Sequence, residues 1–411
     1  MKIPIIVINA FLFISISHAA WEELGPGGGH TRSIEVSPLN ANILYATSYT
    51  MPTRFARSVD AGTTWDLIST HNNLNYCLAV DPNDDDIVYS GSNTLIFKTT
   101  DGGMTWNGSS LPGIGTNGIV VHSTDPSIVY ATGSEYESMI WYGVFSKSTD
   151  SGATWMSTRL DPNQGGATSI IMDPNDPEVI YVGGNYRQGV TGYPLIMKST
   201  DGGTSFSNVA AGQLGASRYV LGLCNHPFNS SILYSATEQG IFRSLDTGST
   251  WVQVAGYGYR YAMATSPADP TVVYAAGRDS LVYKSTDTGA TWNATGAGVR
   301  GGAVYHMTVS PVQASQVYLG TMMSLYRSTN SGSDWFASHD GLYMTSINDF
   351  HVAPSLPTTI YIEQFDVGVC KTTNSGNDWT LLPSFLSCGN LCAVRVHNDD
   401  PDRVFALEGT G

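Results

Sequence analysis

Short apolar runs ending in an aromatic residue return along the chain: Ile43-Leu44-Tyr45, Ile87-Val88-Tyr89, Ile128-Val129-Tyr130, Val179-Ile180-Tyr181, Ile232-Leu233-Tyr234, Val272-Val273-Tyr274, Val317-Tyr318, Ile360-Tyr361 and Val404-Phe405. Each follows a Pro, as at Ser37-Pro38, Asp81-Pro82, Asp125-Pro126, Asp173-Pro174, His226-Pro227, Ser266-Pro267, Ser310-Pro311, Ala353-Pro354 and Asp400-Pro401. β-Branched and aromatic residues in runs this short predict strands. Pro cannot donate to a central ladder, so it marks the end of the strand before.

Midway between these phrases lies a polar one, seen at Lys198-Ser199-Thr200-Asp201-Gly202-Gly203-Thr204-Ser205-Phe206, where the last place usually holds Trp. The other copies are Arg57 to Trp65, Lys98 to Trp106, Lys147 to Trp155, Arg243 to Trp251, Lys284 to Trp292, Arg327 to Trp335 and Lys371 to Trp379. Asp60, Asp101, Asp150, Asp201, Asp246 and Asp287 hold the turn position; the last two copies carry Asn330 and Asn374 there and gain Asp334 and Asp378. An Asp or Asn at a turn accepts hydrogen bonds from backbone N–H groups just ahead, and the Gly two places on takes a positive φ. Alternation then delivers the Trp to one face, where it wedges against the neighbouring sheet.

Each unit therefore has four strands: an innermost one ending at the Pro, a second carrying the Tyr, a third leading into the Asp turn and an outermost one leaving from the Trp. Ser33 to Val36, Ile43 to Thr47, Phe55 to Val59 and Thr64 to Ile68 illustrate the first. Steps of roughly 41 to 51 residues match the period of a propeller blade. The expected fold is all-β, a propeller of four-stranded antiparallel blades, with eight full units and a partial ninth at Cys392 to His397 and Arg403 to Leu407. Trp21-Glu22-Glu23-Leu24 resembles an outermost strand, so the amino end is a candidate to complete the last blade of a ring. Three layouts remain open: a piece of a longer protein, a ring with one incomplete blade, or a seven-bladed ring followed by the start of a second.

Composition changes the picture at the amino end. Lys2 precedes an apolar run from Ile3 to Ile16, and Ser17-His18-Ala19 supplies small residues for cleavage, so residues 1–19 read as a signal peptide and 20–411 as the propeller. The apolar run is too short for a membrane anchor. The expected location is secreted, periplasmic or cell-surface. A net charge of −15 with singly scattered basic residues argues against nucleic acid or an anionic membrane as partner. Among five cysteines, Cys388 and Cys392 are close enough to bridge a loop, whereas Cys77 and Cys224 read as small apolar strand residues. The Asp turns lack the alternating oxygen ligands and terminal Glu of a calcium loop, so neither metal nor cofactor is expected.

The Ser/Thr-x-Asp-x-Gly-x-Thr-Trp turns resemble the Asp-box, or BNR, repeats of sialidases, sortilin-type receptors, xyloglucan-cleaving glycoside hydrolases and photosystem assembly propellers. That resemblance covers essentially all of the chain after residue 19 and implies a propeller. The sialidase Arg-Ile-Pro motif does not occur. The opening of the xyloglucan-cleaving family looks like Trp21, the run Gly25-Pro26-Gly27-Gly28-Gly29 and Tyr45-Ala46-Thr47-Ser48-Tyr49. Its catalytic Asp falls on Tyr49, or on Ser48 with a slip of one, and neither is a carboxylate. Receptors and assembly propellers need only exposed loops, so the first expectation is an exported binding or scaffolding module for a protein, peptide or glycan. The alternative is a glycoside hydrolase acting on β-glucans.

Connections between second and third strands share one face of the ring with the entries to the innermost strands; the Asp turns lie opposite. Three such connections are long and aromatic: Tyr49 to Phe55, Glu135 to Tyr142 and Asn185 to Tyr193. Tyr49, Tyr136, Trp141, Tyr142, Tyr186 and Arg187 are the candidate ligand-binding residues, forming an uneven wall on blades one, three and four. Tyr76, Tyr219, Tyr259, Tyr261 and Tyr305 are placed to line a channel mouth. Glu238, Asp279 and Asp366, each five residues before the basic residue of the next Asp turn, are the first candidates for an acid and a base, with Glu135, Glu137 and Glu363 on the same face.

Overall fold

The computed structural model describes residues 30–408, apart from 50–51, 112–113, 161–163, 189–190, 216, 257, 296–298, 300–302, 322–323, 338–346, 357, 365–367, 375–379, 383–390 and 398–399. Every described element is a β-strand. Strands pair antiparallel in chain order, innermost to outermost, into eight four-stranded sheets and one two-stranded sheet.

Blade 1 consists of Thr31–Val36, Leu44–Ser48, Thr53–Ser58 and Asp66–His71. The sequence boundaries differ from these by at most three residues; the outermost strand starts later because the Trp itself precedes it rather than beginning it. Blades 2 to 7 start at innermost strands Asn75–Asp81, Ile114–Val121, Gln164–Met172, Val220–Asn225, Arg260–Ser266 and Val304–Val309.

Each innermost strand packs on the next, and Val304–Val309 packs back on Thr31–Val36. The ring therefore closes at seven blades. The eighth sheet, innermost strand Ile347–Val352, packs instead on Leu391–Val396 of the two-stranded sheet. Of the three layouts the sequence left open, the seven-bladed ring is the one these contacts close; the eight full units and the partial ninth do not share one ring. The repeat signal continues past the closure because every sheet uses the same turn whether or not it belongs to the ring. The seventh blade takes its fourth strand, Phe336–Ala337, from its own repeat; the strand expected at Trp21 to Leu24 lies outside the described residues.

The Trp residues are wedges, as their phase requires. Trp251 packs against Tyr181 and Ile196 of the preceding blade, Trp292 against Tyr234 and Ile241, and Trp335 against Tyr274 and Val282. Trp65 closes the circle on Tyr318 and Leu325 of blade 7. Burying one such indole removes about 150–250 Å² from water, a gross gain of roughly 4–6 kcal/mol.

The Asp turn adds a polar clamp. In blade 4, Ser199 donates to Asp201 at 2.8 Å and accepts the Gly203 N–H at 2.9 Å; Asp201 accepts the Ser205 N–H and hydroxyl at 2.9 and 2.6 Å. Two successive residues take positive φ, Thr247 (58°) and Gly248 (87°) in blade 5. The first of these turns its carbonyl toward the preceding blade, where both Tyr181 Oη and Lys198 Nζ donate to Thr247 O, at 3.1 and 3.4 Å. At the closure Tyr318 Oη and Arg327 Nη1 donate to Ala61 O at 2.9 and 2.8 Å. In the variant turn Asn330 Nδ2 donates to Asp334 at 2.8 Å while Asn330 Oδ1 accepts the Asp334 N–H. Donor and acceptor have exchanged places, and the geometry is kept.

Candidate functional site

The loop face carries two separate aromatic groups rather than one wall. The first surrounds the channel mouth on blades 6, 7, 1 and 2. His30 stacks on Tyr305 with centroids 4.9 Å apart and meets Tyr49 at 5.0 Å; Tyr49 continues to Tyr76 at 5.9 Å, and Tyr305 to Tyr261 at 5.8 Å. Tyr261 reaches Tyr259 at 6.3 Å. The Arg32 guanidinium sits 5.3 to 5.9 Å from the rings of Tyr305, Tyr49 and Tyr76. Burial, and then the Arg32 charge, push the His30 imidazole down to about 4, so it is neutral at pH 7. Tyr49 is thus a member of an Arg-centred cage, apart from the exposed residues of blades 3 and 4.

Below this mouth the channel encloses about 480 Å³ and touches the innermost strand of every blade. Its polar wall is Arg32, Glu35 and His306, facing Ile119, Ile170, Leu223 and Met307. His306 Nε2 lies 3.7 Å from Glu35 Oε1. Burial raises the Glu35 carboxyl to about 8 and lowers His306 to about 4, so both are neutral at pH 7. The sequence reading passed over Glu35, although alternation along Ser33-Ile34-Glu35-Val36 could have flagged it; nothing in the sequence places His306 beside it.

The second group is on blades 3 and 4. The segments expected as loops are extensions of the ladder: Val129–Glu137 pairs with Ile140–Ser148, and Ile180–Gln188 with Thr191–Ser199. Both hairpins stand beyond the ordinary blade edge. Tyr136 and Trp141 are cross-strand partners with rings 4.7 Å apart, and they are 54% and 53% exposed. Tyr186 packs on the blade 4 core and stacks at 5.2 Å on Tyr193, a residue absent from the sequence candidates. Tyr142 is capped by the Arg159 guanidinium at 4.0 Å, and Arg159 also binds Glu135 and Glu137, which raise its pKa. The Arg187 side chain lies outside the described residues.

Between these hairpins a pocket of about 170 Å³ is lined by Ser134, Met139, Trp141, Gly165, Gly166, Asn185 and Tyr219. Tyr219, expected at the channel mouth, lies here instead. Its position before an innermost strand was read correctly, but the seam between blades decides where the ring goes.

Two of the three carboxylate candidates are engaged in holding a connection. Glu238 accepts the Arg218 N–H at 2.7 Å, and Asp279 forms a two-pronged ion pair with the buried Arg260. Asp366 and the side chain of Glu363 lie outside the described residues, as do Cys388 and the side chain of Cys392. Cys77 and Cys224 are free thiols and buried, as expected, and Cys370 is buried as well. Among the described residues no group of His, Cys, Asp or Glu is placed to hold a metal ion, and no helix is long and apolar enough to cross a membrane.

A seven-bladed ring with an aromatic loop face is the class this geometry defines, and no family model matches the chain. It is 29% identical over 236 residues to a xyloglucanase of Hypocrea jecorina, a match covering 54% of this chain and 25% of that protein. A Paenibacillus sp xyloglucanase is 27% identical over 183 residues, covering 37% of this chain and 17% of the relative. The chain thus spans about a quarter or less of the length of these relatives. In fold it resembles an ancestral GH74 enzyme with a TM-score of 0.72 at 17% identity, over 92% of this chain and 58% of that one. It also resembles the GH74 xyloglucanase of Xanthomonas campestris, with a TM-score of 0.67 at 15% identity over 92% and 71% of the two chains. YCF48 from Cyanidioschyzon merolae matches with a TM-score of 0.53 at 15% identity, over 74% of this chain and 96% of its own.

Proposed function

We propose that this propeller engages a polysaccharide of the β-glucan class on its loop face, as an exported glycoside hydrolase-like module. The carrying observation is the exposed Tyr136–Trp141 pair, held out on an extended hairpin whose base is fixed by Arg159. Flat aromatic surface in rigid mounting suits the C–H faces of sugar rings and loses little conformational entropy on binding. The names of the sequence relatives, xyloglucanases, support the same ligand class. The eighth sheet and the two-stranded sheet fit the start of a second propeller, and residues 1–19 fit a secretion signal. The turns on the opposite face are read as Asp boxes with a structural role.

Affinity electrophoresis in gels containing xyloglucan tests this reading. Retardation of the wild type, lost in a Tyr136→Ala/Trp141→Ala variant, is the expected result; migration identical to a gel without polysaccharide overturns it.

Hydrolysis is the second reading, favoured by the relatives' names. Carboxylate chemistry at a glycosidic bond needs two such groups about 5–9.5 Å apart. Glu238 and Asp279 already serve backbone and Arg260, and Asp366, outside the described residues, is the remaining candidate. Release of reducing ends from xyloglucan, lost in Asp366→Asn, would establish turnover; binding without release leaves the module reading in place.

A further inference from the structure

We infer that the central channel binds a small monocarboxylate, with its carboxylate on Arg32 near the mouth and its apolar body against Ile119, Ile170 and Leu223. This site is separate from the exposed aromatics of blades 3 and 4, and it does not depend on glucan binding.

Arg32 differs from the other arginines of the ring. Arg57, Arg159 and Arg260 each pair with a carboxylate, and Arg243 and Arg327 each donate to a carbonyl of a neighbouring turn. Arg32 makes no ion pair and no side-chain hydrogen bond to any described residue, and its Nε is buried without a partner. The rings of Tyr305, Tyr49 and Tyr76 surround it at 5.3, 5.6 and 5.9 Å. Aromatic faces attract the charge, but they leave the five N–H donors of a guanidinium open to an acceptor.

Nothing else in the channel compensates this charge. Glu35 is the only carboxylate among the lining residues, and it faces His306, with Nε2 and Oε1 3.7 Å apart. Burial keeps Glu35 protonated and His306 uncharged at pH 7. His30, 6% exposed at the mouth, is neutral as well, and neither of its ring nitrogens has a partner among the described residues. The channel therefore holds one positive charge with its donors free. Such a charge is costly when enclosed alone, and the surrounding protein strengthens its pull on an anion relative to an open surface.

The opposite wall sets the rest of the ligand. No charged residue of blades 2 to 6 lines the channel, so a second anionic group would stay unpaired. Asn117 Nδ2 and Thr168 Oγ1 are already given to Ala167 O and Val220 O, at 2.8 and 2.6 Å. A polyhydroxylated molecule thus finds few partners there, whereas an aliphatic body finds Ile119, Ile170 and Leu223. At about 480 Å³ the channel lies within the roughly 300–1,000 Å³ of small-molecule sites.

The test is calorimetric titration of the full chain, in low-chloride buffer at pH 7, with hexanoate, hexanamide and acetate. Wild type should bind hexanoate about tenfold more tightly than hexanamide, which has the same shape without the charge. It should also prefer hexanoate to acetate by about tenfold or more, because acetate lacks the apolar body. Arg32→Gln should bring hexanoate down to the affinity of hexanamide without lowering the thermal midpoint, since the residue removed is an unpaired charge. No binding of hexanoate by wild type, equal affinity for hexanoate and hexanamide, or hexanoate binding unchanged in a folded Arg32→Gln protein overturns the inference. If Arg32→Gln does not fold, the comparison of the two ligands on wild type decides.

Discussion

The two faces of the ring are made from the same repeats and differ in what their polar atoms do. On the turn face each Asp is surrounded by donors from its own turn: Asp201 is held down to about 2 chiefly by the Ser205 hydroxyl, then by the Ser205 N–H and the Ser199 hydroxyl. The carbonyl of the left-handed residue is taken by the preceding blade. The loop face is irregular from blade to blade, its Tyr136 and Trp141 rings stand half exposed, and Ser134, Asn185 and Tyr219 line a cavity. The repeat therefore builds the ring, and departures from the repeat build the site.

The largest expected effect separates the faces by stability. Trp251→Ala removes a wedge packed on Tyr181 and Ile196 and should cost about 3–5 kcal/mol in chemical denaturation, with glucan affinity of the folded fraction unchanged. Trp141→Ala should do the reverse: unfolding changes by no more than ~0.5 kcal/mol while affinity falls about tenfold. A wedge variant that selectively lost glucan, or a Trp141 variant that unfolded, would break the division.

A smaller effect sharpens the turn side. Asn330→Asp should set a second carboxylate against Asp334 and lose roughly 0.5–1.5 kcal/mol at neutral pH, and adding Asp334→Thr should recover it. Failure of the double variant to recover would show that the exchange of donor and acceptor is not what keeps this turn.

The pH dependence is expected to be smallest, and Glu35 in the channel has the opposite sign to the turn carboxylates. Asp101, Asp150, Asp201 and Asp287, with folded pKa near 2 against an ordinary 3.8, contribute stability that is present above about pH 4 and lost as pH falls toward 2. Glu35 is raised from 4.5 to about 8, so its contribution is full below 4.5 and fades as pH rises toward 8. His306 is lowered to about 4, and stability falls as acid charges it below 6.5. Thermal midpoints across pH 5–9 should decline on the alkaline side in wild type and less so in Glu35→Gln; matching alkaline profiles would remove Glu35 from the account.

Much of this fold was legible because its signals are local. Asp, Gly and Trp lie within nine residues of one another, and the turn's chemistry is complete inside that span. The sequence left the closure at seven blades open as one of three layouts, since the contact that makes it, Tyr318 on Ala61, links residues 257 apart and repeats what Tyr89, Tyr181 and Tyr234 do on their neighbours. The blade 3 extension was read as a loop because its turn at Ser138 and Met139 puts both residues at positive φ without the Asn or Gly that announces such a turn. Alternation in Glu135-Tyr136-Glu137 was the available sign. The seam pocket joins Ser134 of blade 3 to Tyr219 at the entry to blade 5, across the innermost strand of blade 4, a juxtaposition only the assembled ring reveals.

The most direct measurement is xyloglucan affinity electrophoresis run side by side on wild type, Tyr136→Ala/Trp141→Ala and Asp201→Asn. Retardation of wild type and Asp201→Asn alike, with free migration of the aromatic variant, is the predicted result. Retardation that follows Asp201 and ignores Tyr136 and Trp141 would contradict the assignment of binding to the loop face.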